Sequence, residues 1–248
     1  MKKLIAIVAM LSICQVAWAE FDLSVSPEVS HISYREKNLS VGLPQAITVK
    51  EDGVMYGIRG IAEYTDKFYL ALDGKYSIGQ VDYSGSGAIT GIDDQMVEVR
   101  GLAGKQFKNV LIYSGYGYRH LSDNMGGMVT SDGSLGYDRE SSYHYIPIGA
   151  RLNIGKVVIT GEVDPMISGV QKSYLDRLGV GFPLVTNKQE RGVGFKVDAK
   201  YKGSINGLDV EIGPFLRGWK VQQSKESEGF VEPKNTSLEV GGGITLRW

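Results

Sequence analysis

Thr236-Ser237-Leu238-Glu239-Val240-Gly241-Gly242-Gly243-Ile244-Thr245-Leu246-Arg247-Trp248 alternates with a period of two. Leu238, Val240, Ile244, Leu246 and Trp248 fall on one face; Glu239, Gly241, Gly243, Thr245 and Arg247 fall on the other. Successive side chains of a β-strand point to opposite sides of its sheet. The stretch therefore predicts a strand that is apolar on one side and charged on the other.

Nine earlier segments repeat the pattern: roughly Val29 to Glu36, Val54 to Thr65, Phe68 to Val81, Gln95 to Gln106, Val110 to Leu121, Ser142 to Ile154, Val157 to Ser168, Glu190 to Tyr201 and Leu208 to Val221. Pro147 and Pro214 fall inside two of them, and a proline lacks the ladder donor, so each predicts a bulge or a strand end. The connections alternate in length. Asp66-Lys67, Phe107 to Asn109, Gly155-Lys156 and Lys202 to Gly207 are short, whereas Asn38 to Gly53, Asp82 to Asp94, Ser122 to Glu140, Gly169 to Lys188 and Gln222 to Asn235 are long.

Past the N-terminus no window is apolar enough for a membrane helix. Only helices and closed sheets satisfy their backbone groups in lipid, so a membrane protein with this sequence must be a barrel. Its average hydropathy looks soluble because only every second residue faces lipid. A soluble barrel or sandwich would also alternate, with the apolar set turned inward. The short–long rhythm of the connections favours the membrane barrel, and so do the aromatics near strand ends: Tyr56, Tyr64, Phe68, Tyr116, Tyr118 and Trp248.

Met1-Lys2-Lys3, the apolar run Leu4 to Ile13 and Ala17-Trp18-Ala19 before Glu20 read as a secretory signal peptide over residues 1–19. The apolar run is too short for a spanning helix. Residues 20–248 are then one barrel domain of 229 residues out of 248, a size that all-β barrels reach unsplit. Leu11-Ser12-Ile13-Cys14 offers a lipobox alternative, against which bulky Ile13 argues. With Cys14 in the signal, the rest of the chain has no cysteine for disulfide or thiolate chemistry. Taking Lys2 and Lys3 from 27 basic residues leaves 25 against 28 acidic ones, a formal charge of −3, and no basic stripe points to nucleic acid.

Gly115-Tyr116-Gly117-Tyr118-Arg119, Tyr143-His144-Tyr145-Ile146-Pro147-Ile148-Gly149 and Pro214-Phe215-Leu216-Arg217-Gly218-Trp219, with the terminal aromatic, resemble the small monomeric outer-membrane β-barrel superfamily. The resemblance implies an antiparallel up-and-down transmembrane barrel of about ten strands in the outer membrane of a Gram-negative bacterium. It implies a monomer among outer-membrane lipid and lipopolysaccharide, inserted by the barrel assembly machinery. That machinery would read Trp248 as the assembly signal, where Phe is usual. No cofactor or metal is implied. The superfamily hosts channels, adhesins, proteases and lipid-modifying enzymes, so fold alone does not choose a function.

Alternation turns eight acids (Glu63, Asp73, Glu98, Glu162, Asp164, Asp198, Glu211, Glu239) and seven bases (Arg59, Lys75, Arg100, Arg151, Lys196, Lys200, Arg217) into the lumen. They can pair and fill it, as a barrel of this width allows, or line a narrow polar pore that selects small solutes. The even balance of signs favours pairing. An enzyme would be built on three histidines: His31, His120 and His144. Arg119-His120-Leu121-Ser122-Asp123-Asn124 is similar to the His-x-Ser-Asn motif of lipid A deacylases, with Asp123 intervening. That similarity implies His120 activating Ser122, and Glu140 could orient His120, the ordinary logic of acyl transfer. An omptin-like protease would need Asp123, Asp138, Glu140 and His144 to converge at the outer rim. His31, beside Ser33 and Arg35, reads as lumen filling. The long loops make binding or adhesion a third function class. The leading expectation is a non-enzymatic barrel with a structural, loop-binding or narrow-channel role.

Overall fold

The computed structural model describes residues 21–37, 48–179 and 181–248. The signal segment and Cys14 lie outside them. Twelve antiparallel segments form one closed sheet: β1 (Asp22–Lys37), β2 (Thr48–Thr65), β3 (Tyr69–Ser84), β4 (Ala88–Phe107), β5 (Val110–Asn124), β6 (Arg139–Tyr145), β7 (Ile148–Ile154), β8 (Val157–Ser173), β9 (Val185–Gln189), β10 (Gly192–Ile205), β11 (Leu208–Val221) and β12 (Lys234–Arg247). β6 and β7 are halves of one stave, since both pair with β5 and β8. β9 and β10 both pair with β8 and form another. The result is a ten-strand antiparallel barrel. β12 closes it on β1, where Leu23 and Trp248 exchange two backbone hydrogen bonds of 3.1 Å. No described helix is long and apolar enough to cross a membrane.

The chain's two described ends and the tight turns after β2, β4, β7 and β10 lie at one end of the barrel, the terminal end; the short turn Gly85-Ser86-Gly87 lies at the opposite end. The connections 125–138, 174–184 and 222–233 lie at the other, the loop end. Lys108 and Asn206 take positive φ in the tight turns. Tyr56, Ile58, Leu72, Ile112, Ile148, Val163, Ile212 and Val240 are all exposed on the outer wall, while Arg59, Asp73, Arg100, Glu162 and Glu239 are buried inside. An apolar belt of this extent far exceeds the patches that soluble monomers expose. The barrel is inverted relative to a soluble one, and lipid is the solvent that such a wall requires.

The structure revises several boundaries. β1 begins at Asp22 rather than near Val29, because Leu23, Val25 and Pro27 keep the alternation with Ser24, Ser26 and Glu28 turned inward. The expected long loop from Asp82 to Asp94 shrinks to Gly85-Ser86-Gly87. β3 and β4 run on because Val81, Ile89 and Ile92 are buried in a cluster inside the barrel. Ile146-Pro147 separates β6 from β7, as a missing donor predicts. Pro214 breaks neither β11 nor its ladder with β12; only the β10–β11 ladder skips Gly213 and Pro214.

Candidate functional site

All fifteen charges that alternation turned inward are buried or half-buried inside the barrel, and all but Asp164 form ion pairs, in four separate groups. Asp73 accepts from Arg59 at 2.8 and 2.5 Å and from Arg100, which also reaches Glu162. The Tyr113 hydroxyl donates to Glu162 at 2.7 Å. Arg151 holds Glu63 through two 2.9 Å bonds. Glu239 accepts from Lys75 at 2.7 Å and from Ser30 at 2.9 Å. Arg217 grips Glu28 through two 2.8 Å bonds while stacking on the Phe215 ring at 3.8 Å. Glu28 escaped the sequence reading because Pro27 hid the first half of β1. Two-pronged Arg–carboxylate pairs are the strong, geometrically specific kind, and together these pairs lie across the middle of the lumen. Below them a cavity of about 340 Å³ reaches the terminal rim at Asp22, Gln106, Lys202 and Asp209.

Toward the loop end the filling changes. Ile32, Met55, Val81, Ile89, Ile92, Met96 and Met125 pack inside the barrel on its β1–β5 side. Across from them Trp219 lies 5.9 Å from Tyr143 and 5.1 Å from Tyr145, with the Arg119 guanidinium 5.5 Å from its ring. Glycines make room for these rings. A Cβ at Gly117 would stand 2.3 Å from the Tyr145 ring, and one at Gly194 would stand 2.6 Å from Trp219. Arg139 crosses the lumen to Glu36 at 2.8 Å, Asp123 at 2.7 Å and Glu51, and Tyr34 donates to Glu36 at 2.6 Å. A cavity of about 60 Å³, large enough for water, lies between these groups. Glu232, in the 222–233 connection, is pushed well above the usual carboxylate range by burial and by neighbouring Glu36. Glu36 ends the first strand assigned from sequence, and Glu51, Asp123 and Arg139 sit just beyond the ends of theirs. Carrying the alternation three residues further would have found them.

The histidines take the outer wall. His31 is exposed beside Val29 and fills no lumen, because it shares the parity of the lipid-facing set. On β5, Ser122 Oγ lies 3.3 Å from His120 Nε2, while His120 Nδ1 lies 2.9 Å from Ser142 Oγ on β6. Ser142, directly opposite His120 in the ladder, therefore takes the orienting place assigned to Glu140, which sits opposite Ser122 and beside the Tyr174 hydroxyl. Tyr118 stacks on His120, and the Tyr116 hydroxyl meets His144. The four protease candidates do not converge. Asp123 is inside on Arg139, Asp138 caps the Gly126 amide and pairs with Arg177, and Glu140 and His144 face outward. Among the described residues no cluster of ligating side chains is arranged to hold a metal.

The loop-end connections carry exposed apolar tips. Val129 and Leu135 face each other across a two-residue bridge, Phe182 and Leu184 precede β9, and Phe230 closes a second bridge with Ser227. In the first tip the Thr130 hydroxyl and the Ser134 amide hold the Asp132 carboxyl below its ordinary range.

No protein-family model and no curated protein matches the sequence. Among solved structures, the barrel is similar to the outer membrane protease OmpT of Escherichia coli, with a TM-score of 0.51 at 10% identity over 92% of this chain and 96% of that one. The translocator domain of the autotransporter NalP of Neisseria meningitidis gives a TM-score of 0.43 at 10% identity, covering 100% and 98% of the two chains. The attachment invasion locus protein Ail of Yersinia pestis gives 0.36 at 12% identity, covering 91% and 99%. At such identities the likeness is one of architecture alone. This chain has the outer-membrane β-barrel fold, in a ten-stranded form.

Proposed function

We propose that this protein is a non-conducting barrel of the Gram-negative outer membrane that binds a macromolecular partner through its loop end. Residues 1–19 direct its export, and the loop end faces outward. The filling of the lumen supports this reading: the Arg59–Asp73–Arg100–Glu162 layer and the apolar and Arg139 layer lie in series. In a filled barrel the exposed tips Val129, Leu135, Phe182 and Phe230 are a surface available for binding. Purified protein in a planar bilayer is expected to pass no stable current, and ion-selective steps would make it a channel instead. Cells displaying a Val129→Ser, Leu135→Ser, Phe182→Ser variant are expected to attach to protein-coated surfaces less than cells displaying the wild type. Equal attachment would remove the loop tips from the reading.

A second reading rests on the Ser122–His120–Ser142 chain at the edge of the lipid-facing wall. The geometry suits His120 taking a proton from Ser122 as that hydroxyl attacks an ester, with Ser142 fixing the ring. Lipid A from cells expressing wild type, His120→Ala or Ser122→Ala decides it. An acyl chain missing only with the wild type would establish a deacylase, and identical lipid A in all three would end the enzyme reading.

A further inference from the structure

The outward row at the loop-end rim is basic over one sector. Lys220 on β11 pairs opposite Thr236 on β12, Thr236 opposite Arg35 on β1, and Arg35 opposite Lys50 on β2. Nearer the loop end, Lys234 stands directly opposite Lys37. All five cations are exposed and share the parity of the lipid-facing Leu216, Leu238, Val29 and Val54. Like charges directly opposite in a ladder destabilise it, yet here two such pairs adjoin. Among the described residues none of the five has a carboxylate partner, whereas nearby Lys225 finds Glu190 at 3.0 Å. The 38–47 connection between β1 and β2 holds no Asp or Glu to supply one. Asp52 lies two residues below Lys50 on β2, Asp82 and Asp93 lie farther round on β3 and β4, and Glu226 and Glu228 are exposed in the 222–233 connection; none of these acids pairs with the five cations.

We propose that the β11–β12–β1–β2 sector docks the phosphorylated headgroup of an outer-leaflet glycolipid. The row's height points to a lipid rather than a soluble anion. Leu238 lies two residues below Thr236, so the cations stand only about 7 Å above exposed apolar side chains at strand rise. Flexible Lys and Arg stems span that distance along the apolar surface while their heads stay wet. Arg35 can take a phosphate through two parallel bonds, with Lys50 and Lys220 as point charges on either side. Beneath the row the wall offers an acyl chain a seat. Gly242 lies between Val29 and Pro214 in the ladders, and a Cβ there would meet only the Gly213 carbonyl, 3.4 Å away.

The inference uses the outward loop end proposed above; the test in micelles does not. Folded protein is mixed with bis-phosphorylated lipid A or its dephosphorylated form, and bound glycolipid is counted by native mass spectrometry. The triple variant Arg35→Gln, Lys50→Gln, Lys220→Gln is expected to retain the phosphorylated form about tenfold less than the wild type. An Asp82→Asn, Asp93→Asn variant is expected to retain it unchanged, and dephosphorylated lipid A to bind the wild type as poorly as the phosphorylated lipid binds the triple variant. Equal retention by the triple variant, equal binding of the dephosphorylated lipid, or equally tight binding of a soluble anionic polysaccharide overturns the proposal. If the triple variant does not fold, the two lipids on wild type decide alone. Protease accessibility on intact cells tests orientation separately: cleavage in 125–138 supports it, and cleavage at Asp66-Lys67 removes the outer-leaflet source even where lipid A binds in micelles.

Discussion

The two halves of the lumen solve the same filling problem with opposite chemistry. Toward the middle and the terminal end, charges interlock through shared carboxylates such as Asp73 and Glu239. Toward the loop end, Ile32, Met55, Val81 and Ile92 pack as in a soluble core, with one arginine clamped among three acids. The polar half leaves a cavity of about 340 Å³, and toward the loop end one of about 60 Å³ lies around Arg139 rather than in the apolar cluster. Ion pairs fix the positions of a few atoms and tolerate space between them; apolar packing tolerates none. The lumen is therefore more densely filled toward the loop end, and the terminal end keeps a vestibule.

Breaking a shared carboxylate should cost most. Asp73→Ala leaves the Arg59 and Arg100 guanidiniums buried without their common acceptor, and a loss of about 3–5 kcal/mol is expected from urea unfolding of the folded barrel. A loss within experimental error would mean that water replaces the carboxylate and that the polar half is solvated rather than interlocked. The outer wall comes next. Ile244→Arg and Val197→Arg, at exposed lipid-facing positions, should cost about 2–4 kcal/mol if near the bilayer midplane. An unchanged heat-modifiable band for both would put the wrong face toward lipid. In the apolar half, Ile92→Val trims one methylene from a fully buried side chain and should cost about 0.5–1.5 kcal/mol. A cost equal to that of Asp73→Ala would erase the contrast between the halves.

The smallest effect concerns pH. Glu232 is held above its ordinary range, so its burial is tolerated while it is protonated. Relative to an ordinary carboxyl, its contribution is fully present below the unfolded value and is lost as pH rises through the folded one. Glu232→Gln should therefore match wild-type thermal stability near about pH 4 and exceed it near about pH 8. Parallel stability–pH curves for the two proteins would assign the pH dependence to other groups.

Strict alternation made the barrel legible, because a period of two assigns every side chain to lipid or lumen once a strand is recognised. It identified the ion-pairing residues of the polar half for the same reason. The apolar half was not legible. Met55, Val81 and Met96 sit at the edges of the strands assigned from sequence and Ile92 in a segment read as a loop; all carry inward parity but apolar chemistry, so a lumen marked by charge did not show them. The loop-end clamp was missed because Glu36, Glu51 and Arg139 lie where alternation is short and neighbours are polar on both faces. At the His120 site the sequence spacing brought Ser122 and His120 together, but the choice between Glu140 and Ser142 depended on inter-strand register, which no single strand encodes.

The β1–β12 seam orders events in time. Leu23 and Trp248 bond to each other across nearly the whole chain, so no ring exists until β12 has been made and has found β1. Until then both edges offer unpaired backbone and the apolar wall has no lipid, a combination that invites aggregation. Closing so long a loop is also entropically costly and slow. The ring is thus the last feature of this fold to form, and β12 is its latch.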